Sequence, residues 1–510
     1  MLFPSYEFLF FFLPLVLLGS LLLGARARLG TAWLVAASLL FYSWWNPRFL
    51  AVIVLSILFN YVLGAILARE SGVRSWGRRA ALTLGIGGNL GALGYFKYRN
   101  FLSENIALLT GQGAVLEQLV LPLGISFFTF QQIAFLLDAH RGETREYNFL
   151  DYCFFVTFFP QLIAGPIVHH AEIFPQFRGD SRRRPAARAF ALGLTSFTIG
   201  LFKKVVLADG VALYATPIFD HAQDGGALSA LAAWQGALAY TFQLYFDFSG
   251  YSDMAVGLSQ MFGIKLPINF HSPYKATGAI EFWRRWHITL TRFITSYVFN
   301  PIATSITRFS MKRWRHRGVT YALCTALPVV ITFLIAGLWH GAGWTFVIFG
   351  GLHGLYLAIN HGWRELRRRP LKHLKTPPIA LPGSWLLTFL AVVVAFVFFR
   401  AESVAAALRI LGHMAGASAT DASVVVRATE PQAWLWIGAL LGLVLLLPST
   451  YELTRAWEPA LDPSKIADKD HSRSRLRWQP SAAWAVACAG LALASVWNLA
   501  RVSEFIYFGF

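Results

Sequence analysis

The chain has 510 residues, 56% of them hydrophobic and 14% charged, whereas a soluble protein carries about 25% charged residues. Its formal charge of +18 would suit a nucleic-acid binder, but the basic residues gather in short loops between apolar runs, the distribution that sets the orientation of membrane proteins. The composition excludes a soluble enzyme and predicts a single integral membrane domain over residues 1–510, with roughly a dozen apolar segments near the ~20-residue length of a spanning helix.

Residues 4–25 are apolar and are followed by Arg26 and Arg28. A cleavable signal peptide has its charge in front of a shorter core, so this run is read as an uncleaved first span with its N-terminus outside. Spans follow at about 30–46, 49–68 and 80–96, with Arg69, Arg74, Arg78 and Arg79 marking the cytoplasmic side. Between Phe101 and Pro166 the apolar runs are interrupted by Pro122, Gly124, Pro160, Gly165 and Pro166, and Gln131, Gln132, Asp138 and Gln161 lie in or beside them. Broken helices at membrane depth need protein or a water-filled cavity to cover them, which predicts a central chamber.

A basic loop, Arg178 to Arg188, precedes a span at about 187–207 that Lys203 and Lys204 close. The segment 226–263 carries YFDFSGYSDMAVG at its centre, placing Asp247 and Asp253 in an apolar run. Next come an amphipathic helix at 279–303, a basic loop from Arg308 to Arg317, and spans near 319–340 and 343–362. A second basic loop, Arg364 to Lys375, is followed by spans near 380–399, 432–448 and 482–500 and by an aromatic tail, 501–510. With both basic loops cytoplasmic, that tail begins on the extracytoplasmic side. Cys153, Cys324 and Cys488 are isolated and show neither metal nor disulfide spacing.

Two histidines stand where a membrane protein rarely leaves one, and a titratable group inside an apolar span is a functional-site hypothesis. On one continuous helix Trp283, Trp286 and His287 share a face, while Glu281 and Arg285 pair one turn apart. Three arginines on this segment argue for an interfacial helix that dips its Trp/His face into the protein. His340 follows Trp339 at the end of an apolar run and precedes Gly341-Ala342-Gly343, so the helix should break there and put the imidazole at a cavity wall. A histidine can take a proton near neutral pH and so activate a hydroxyl toward an acyl carbonyl. His353 is read as a supporting or packing residue.

EFWRRWHITL, LWHG, YFDFSGYSDMAVG and FFPQLIAGPI, which occur in the order expected and spread over nearly the whole chain, together closely resemble the membrane-bound O-acyltransferase family, in particular its bacterial alginate O-acetyltransferase-like branch. The resemblance implies an all-α polytopic fold: a ring of tilted helices around a thin central floor, with re-entrant and interfacial helices. It places the catalytic histidine on His340 and the second important histidine on His287, with Trp283, Trp286, Trp339, Asp247 and Asp253 as substrate-binding candidates. No bound cofactor or metal is expected; acetyl-CoA is the implied acyl donor, and Arg308 to Arg317 either meet its phosphates or merely set topology.

The terminal FIYFGF resembles an aromatic tail in which a tyrosine relays the acyl group, here Tyr507; an interfacial anchor is the plainer reading. The chain departs from many relatives in reading ITSYVFNPIATSITRFS where they have a glycine-containing turn, which leaves the acceptor open. The expectation is a bacterial inner-membrane enzyme that passes acetyl groups to an extracytoplasmic polysaccharide. An esterase-like periplasmic or membrane-tethered partner is expected to complete the transfer, since no Gly-x-Ser-x-Gly motif is present. Peptidoglycan O-acetylation and D-alanyl transfer are rivals within the fold; a proton-coupled transporter using His287, His340, Asp247 or Asp253 is the rival outside it.

Overall fold

The computed structural model describes residues 1–510 apart from 25, 70–75, 112–115, 118, 145–146, 178–186, 311–315, 369–379, 418–430, 462–475, 502–505 and 507–510. Among the described residues the regular elements are helices, joined by one isolated bridge between Pro267 and Leu461. Helices satisfy their own backbone groups, which is what a bilayer demands of a spanning segment. Arg48–Arg69, Ala187–Gln223, Arg317–His340 and Leu381–Arg400 are long and apolar enough to cross, and Pro431–Leu446 with Thr450–Trp457, bent by 42°, makes a fifth if counted as one span. That is fewer than the dozen apolar runs suggest. Some runs form shorter helices, such as Phe8–Leu23 and Ala482–Asn498, and the 32-residue helix Ala230–Met261 carries glutamines and aspartates along its length.

Ala230–Met261 is the buried axis of the molecule. Ala187–Phe202 packs along it through two pairs of facing glycines, Gly193 with Gly257 and Gly200 with Gly250. A Cβ at Gly193 would lie 2.6 Å from the Gly257 carbonyl, and one at Gly250 would lie 2.7 Å from that of Gly200. Small residues let two backbones touch, the main source of helix association where lipid is as apolar as the core. The span does not end at Lys203 and Lys204 as the sequence suggests. It continues through a π-helical turn, Lys203–Ala208, into Asp209–Gln223, because both ammonium groups find carboxylates inside: Lys203 with Asp253 at 2.6 Å, Lys204 with Asp209 and Asp247 at 2.8 Å each.

The interrupted region forms as expected. Phe149–Thr157 stops at Phe158, and a single turn, Phe159–Leu162, follows before a turn and irregular chain lead to His169. The carbonyl of Phe155, near the end of the broken helix, accepts from both Gln131 Nε2 at 3.0 Å and Gln161 Nε2 at 2.6 Å. These glutamines therefore supply the donors that the missing next turn would have given.

Candidate active site

The helix Leu327–His340 ends at the histidine because Gly341 is extended. Its last carbonyls need donors, and these come from one π-helical turn, Gly94–Tyr98. Tyr98 hydroxyl donates to Leu338 O at 2.9 Å; Lys97 Nζ donates to Trp339 O at 2.5 Å and to His340 O at 3.3 Å, and to Ser126 Oγ at 3.2 Å. A cation at a helix C-terminus also meets the negative end of the dipole. Gly337 and Gly350 let the next helix, Trp344–Arg368, approach within touching distance. That close packing sets Phe349 edge-on to the His340 ring at 5.8 Å, with Phe399 at 5.2 Å and Trp339 at 4.8 Å. His340 is 4% exposed.

His287 lies across from it, the ring centroids 6.5 Å apart. At that spacing one oxygen atom can hydrogen-bond both rings, each bond being about 2.8 Å. The expected continuous helix at 279–303 is not formed. Ala279–Arg285 ends at the extended Trp286, His287 takes a left-handed conformation at φ 43°, and Ile288–Ile294 begins a new helix. A non-glycine residue held there stores about 1–3 kcal/mol, and the neighbouring strand-like segment compensates by pairing: Ile288 N–H to Asn269 O at 3.0 Å and His271 N–H to Arg285 O at 2.9 Å. Ile280, Phe282, Trp283 and Arg285 turn into the protein, and the arginine is held by Glu281 at 2.9 Å.

Hydrogen bonding fixes the tautomer of His287. Ile167 N–H donates to Thr289 Oγ1 at 3.0 Å, so the Thr289 hydroxyl donates onward to Asn269 Oδ1 at 3.0 Å, which also accepts Thr289 N–H at 3.4 Å. Asn269 Nδ2 donates to Ser252 Oγ at 3.3 Å. Oδ1 is thus an acceptor, and His287 Nδ1, 3.0 Å away, must be the protonated nitrogen. Its Nε2 carries the lone pair, and among the described residues that atom has no hydrogen-bond partner. Asn269 and Thr289 have no signature in the sequence, and neither does Lys97, which with Arg99 reads as the charged end of the span at about 80–96.

The other predicted residues divide. Trp339 stands against both histidines, 6.3 Å from His287. Trp283 does not share a face with His287: its Nε1 donates to His353 Nδ1 at 3.2 Å and its ring meets Phe333. His353 is therefore part of the support for that tryptophan. Trp286 joins a layer with Phe270, Phe282 and Phe396. Asp253 is held by Lys203 and by Thr450 Oγ1 at 2.6 Å, and Asp247 by Lys204 and by the amide of Ile506 at 3.1 Å. Tyr507 lies outside the described residues.

A cavity of about 190 Å³ abuts this network, walled by Gln131, His169, His170, Thr289, Arg292 and Tyr297 among others. At its rim Asp138 Oδ2 receives His169 Nε2 at 2.7 Å, Tyr297 hydroxyl at 2.6 Å and His170 Nε2 at 3.2 Å. The ligand-type atoms of Asp138, His169 and His170 lie within 4.8 Å of one another, close enough for a metal ion. His169 Nδ1, however, accepts the Ala171 N–H at 3.2 Å to cap a helical turn. The proton then sits on Nε2, the reverse of the tautomer a metal there needs, and the cluster is a hydrogen-bonded one.

The sequence matches known proteins over most of its length. The membrane-bound O-acyltransferase family, MBOAT, matches residues 74–400. The peptidoglycan O-acetyltransferase of Helicobacter pylori is 42% identical over 444 residues, covering 82% of this chain and 80% of that protein. The probable alginate O-acetylase AlgI of Azotobacter vinelandii is 40% identical over 419 residues, 81% of this chain and 78% of its own. The teichoic acid D-alanyltransferase of Streptococcus thermophilus is 28% identical over 286 residues, 54% of this chain and 68% of its own. The chain belongs to the membrane-bound O-acyltransferase family and is a multi-pass membrane acyltransferase.

Proposed function

We propose that the enzyme resides in a bacterial inner membrane and moves acetyl groups from cytoplasmic acetyl-CoA to hydroxyls of an extracytoplasmic polysaccharide, an alginate-like exopolymer, with an esterase-like periplasmic or membrane-tethered protein completing delivery. The observation that carries this reading is the facing pair His340 and His287, buried and one oxygen atom apart. His340 acts as general base. It takes the proton of the attacking hydroxyl as the C–S bond of the thioester breaks, and returns that proton to the leaving thiolate. His287, with Nδ1–H held by Asn269, forms the opposite wall of the space in which that hydroxyl lies and limits its position, with Trp339 completing the wall.

Where Tyr507 serves as relay, its phenol attacks first. The acetyl group passes from sulfur to the phenolic oxygen, CoA leaves as thiol, and the aryl ester then acylates the acceptor hydroxyl and regenerates the phenol, splitting one transfer into two. Arg78 Nη2 donates to His140 O at 2.6 Å, which ties the end of the helix that carries Asp138 to one of the arginines read as cytoplasmic. This supports donor entry from the cytoplasm under the positive-inside rule. The 42% identical peptidoglycan O-acetyltransferase favours a second reading, in which the acceptor is peptidoglycan.

The test is ester content of the cell's polymers in a His340→Ala strain that makes normal amounts of the protein. Loss of acetyl from one polymer is expected and names the acceptor; parental acetyl content removes the catalytic assignment. Turnover of labelled acetyl-CoA by purified protein, lost on His340→Ala, separates acyl transfer from proton-coupled transport.

A further inference from the structure

Lys204, Asp209 and Asp247 form the most deeply buried charge cluster described, their side chains 3%, 6% and 1% exposed. Two carboxylates are set against one ammonium in an apolar interior, where charge is costly without hydrogen-bonding partners. One of the added donors comes from far along the chain: Ile506 N–H to Asp247 Oδ2 at 3.1 Å. The Ile506 side chain packs on the main core, as does Leu499, 6% exposed, at the end of the last helix. We infer that Asp247, held by Lys204, is the anchor of the chain's own C-terminal segment, and that it acts in acyl transfer as a positioning residue through that segment.

The placement gives the anchor its consequence. Asp247 is followed on Ala230–Met261 by Phe248, whose ring meets His287 edge-on at 4.7 Å. The backbone amide that Asp247 binds belongs to the residue immediately before Tyr507. The two oxygens divide the work: Oδ1 faces Lys204 Nζ at 2.8 Å and Oδ2 takes the tail amide. A backbone amide is recognised whatever side chain it carries, so Asp247 holds position 506 without constraining the residue there. With Asp247 replaced, Lys204 keeps Asp209 at 2.8 Å, so the ammonium stays paired and the fold survives the test.

The inference rests on the acyltransferase reading for its catalytic part alone, and the experiment keeps the parts distinct. Cys153, Cys324 and Cys488 are replaced by alanine in the full-length protein, Ile506→Cys is introduced, and labelling by a water-soluble maleimide is followed in lipid nanodiscs. Labelling is expected to be slow, to rise about tenfold with Asp247→Ala as the loss of roughly 1.4 kcal/mol of restraint implies, and to stay slow with Asp247→Asn, which retains an oxygen acceptor. Equal rates in all three overturn the anchor, as does an Asn variant that labels like Ala. In parallel, acceptor acetylation is compared for Asp247→Ala, for a chain ending at Arg501, and for both together. The double variant is expected to be no worse than the truncation; an additional loss shows that Asp247 acts by another route and overturns the positioning role. Parental activity in Tyr507→Phe alongside Asp247-dependent labelling leaves the anchor standing and removes the relay.

Discussion

Asn269→Ala tests the geometry of the site most directly, because it removes the acceptor that fixes His287 without touching either histidine. Asn269 Oδ1 takes His287 Nδ1–H at 3.0 Å, Thr289 Oγ1–H at 3.0 Å and Thr289 N–H at 3.4 Å, and all three donors are buried. A buried donor left without its acceptor costs about 1–3 kcal/mol. For His287 the cost falls on function, since the ring can then protonate either nitrogen and turn, and Nε2 no longer presents its lone pair reliably. Converted at 1.36 kcal/mol per decade, this is a fall of roughly 5- to 150-fold in kcat. KM for the donor thioester should hardly move, because no donor contact is removed. The assay is thioester consumption by purified enzyme in nanodiscs, with a size-exclusion profile to confirm that the fold persists. Thr289→Val is the control: it takes one donor from Asn269 and the acceptor from Ile167 N–H, which lowers stability, but leaves the His287 bond and should cost far less in kcat. Parental kcat in Asn269→Ala, or equal losses in the two variants, refutes the assignment of the tautomer.

Lys97→Met strips the donors from the Trp339 and His340 carbonyls while keeping the length of the side chain; the end of the LWHG helix loosens, and kcat should fall with a stability loss of about 1–3 kcal/mol, read as a lower melting temperature. Gly257→Leu should prevent assembly, since its Cβ would strike the Gly193 carbonyl and the Phe197 backbone and overpacking of this kind costs about 1–3 kcal/mol or more; Gly442→Leu, where nothing lies within 4 Å, is expected to give a normal size-exclusion profile. Trp283→Phe orphans His353 Nδ1 and should lower thermal stability by about 1 kcal/mol with turnover near that of the parent; a large loss of turnover at unchanged stability would return Trp283 to the substrate site.

What could be read from the sequence was whatever depends on a local pattern. The end of the helix at His340 follows from an apolar run meeting Gly-Ala-Gly, and the interrupted helices from Pro122 to Pro166 follow from proline and glycine at fixed places. Pairings between distant segments were not legible. Residues 279–303 carry a sound amphipathic pattern, yet periodicity cannot show that Asn269–His271 will pair beside residues 285–288 and draw His287 into the left-handed region. The local preference for continuing the helix is modest, and a buried pair of backbone hydrogen bonds outweighs it. Lys203 and Lys204 misled for the same reason: a lysine pair after an apolar run marks an interface unless carboxylates wait inside, and Asp209, Asp247 and Asp253 do.

The strain at His287 and the break at His340 belong together. A histidine on a regular helix directs its ring along the row of neighbours three and four residues away, which would have aimed His287 at its own segment. Placed at φ 43° between two short helices, it leaves that row and turns toward Trp339 and Phe248. His340, as the last residue of its helix, likewise has no following turn to cover its ring. Each histidine is therefore presented by an interruption, and each interruption is held by a polar residue from elsewhere, Asn269 for one and Lys97 for the other. Backbone strain persists only where its surroundings over-determine it. Loosening either support should therefore let its histidine relax toward regular helix and separate the pair, so Asn269→Ala and Lys97→Met should lower kcat by similar factors and combine less than additively, as expected of residues that act on one shared geometry.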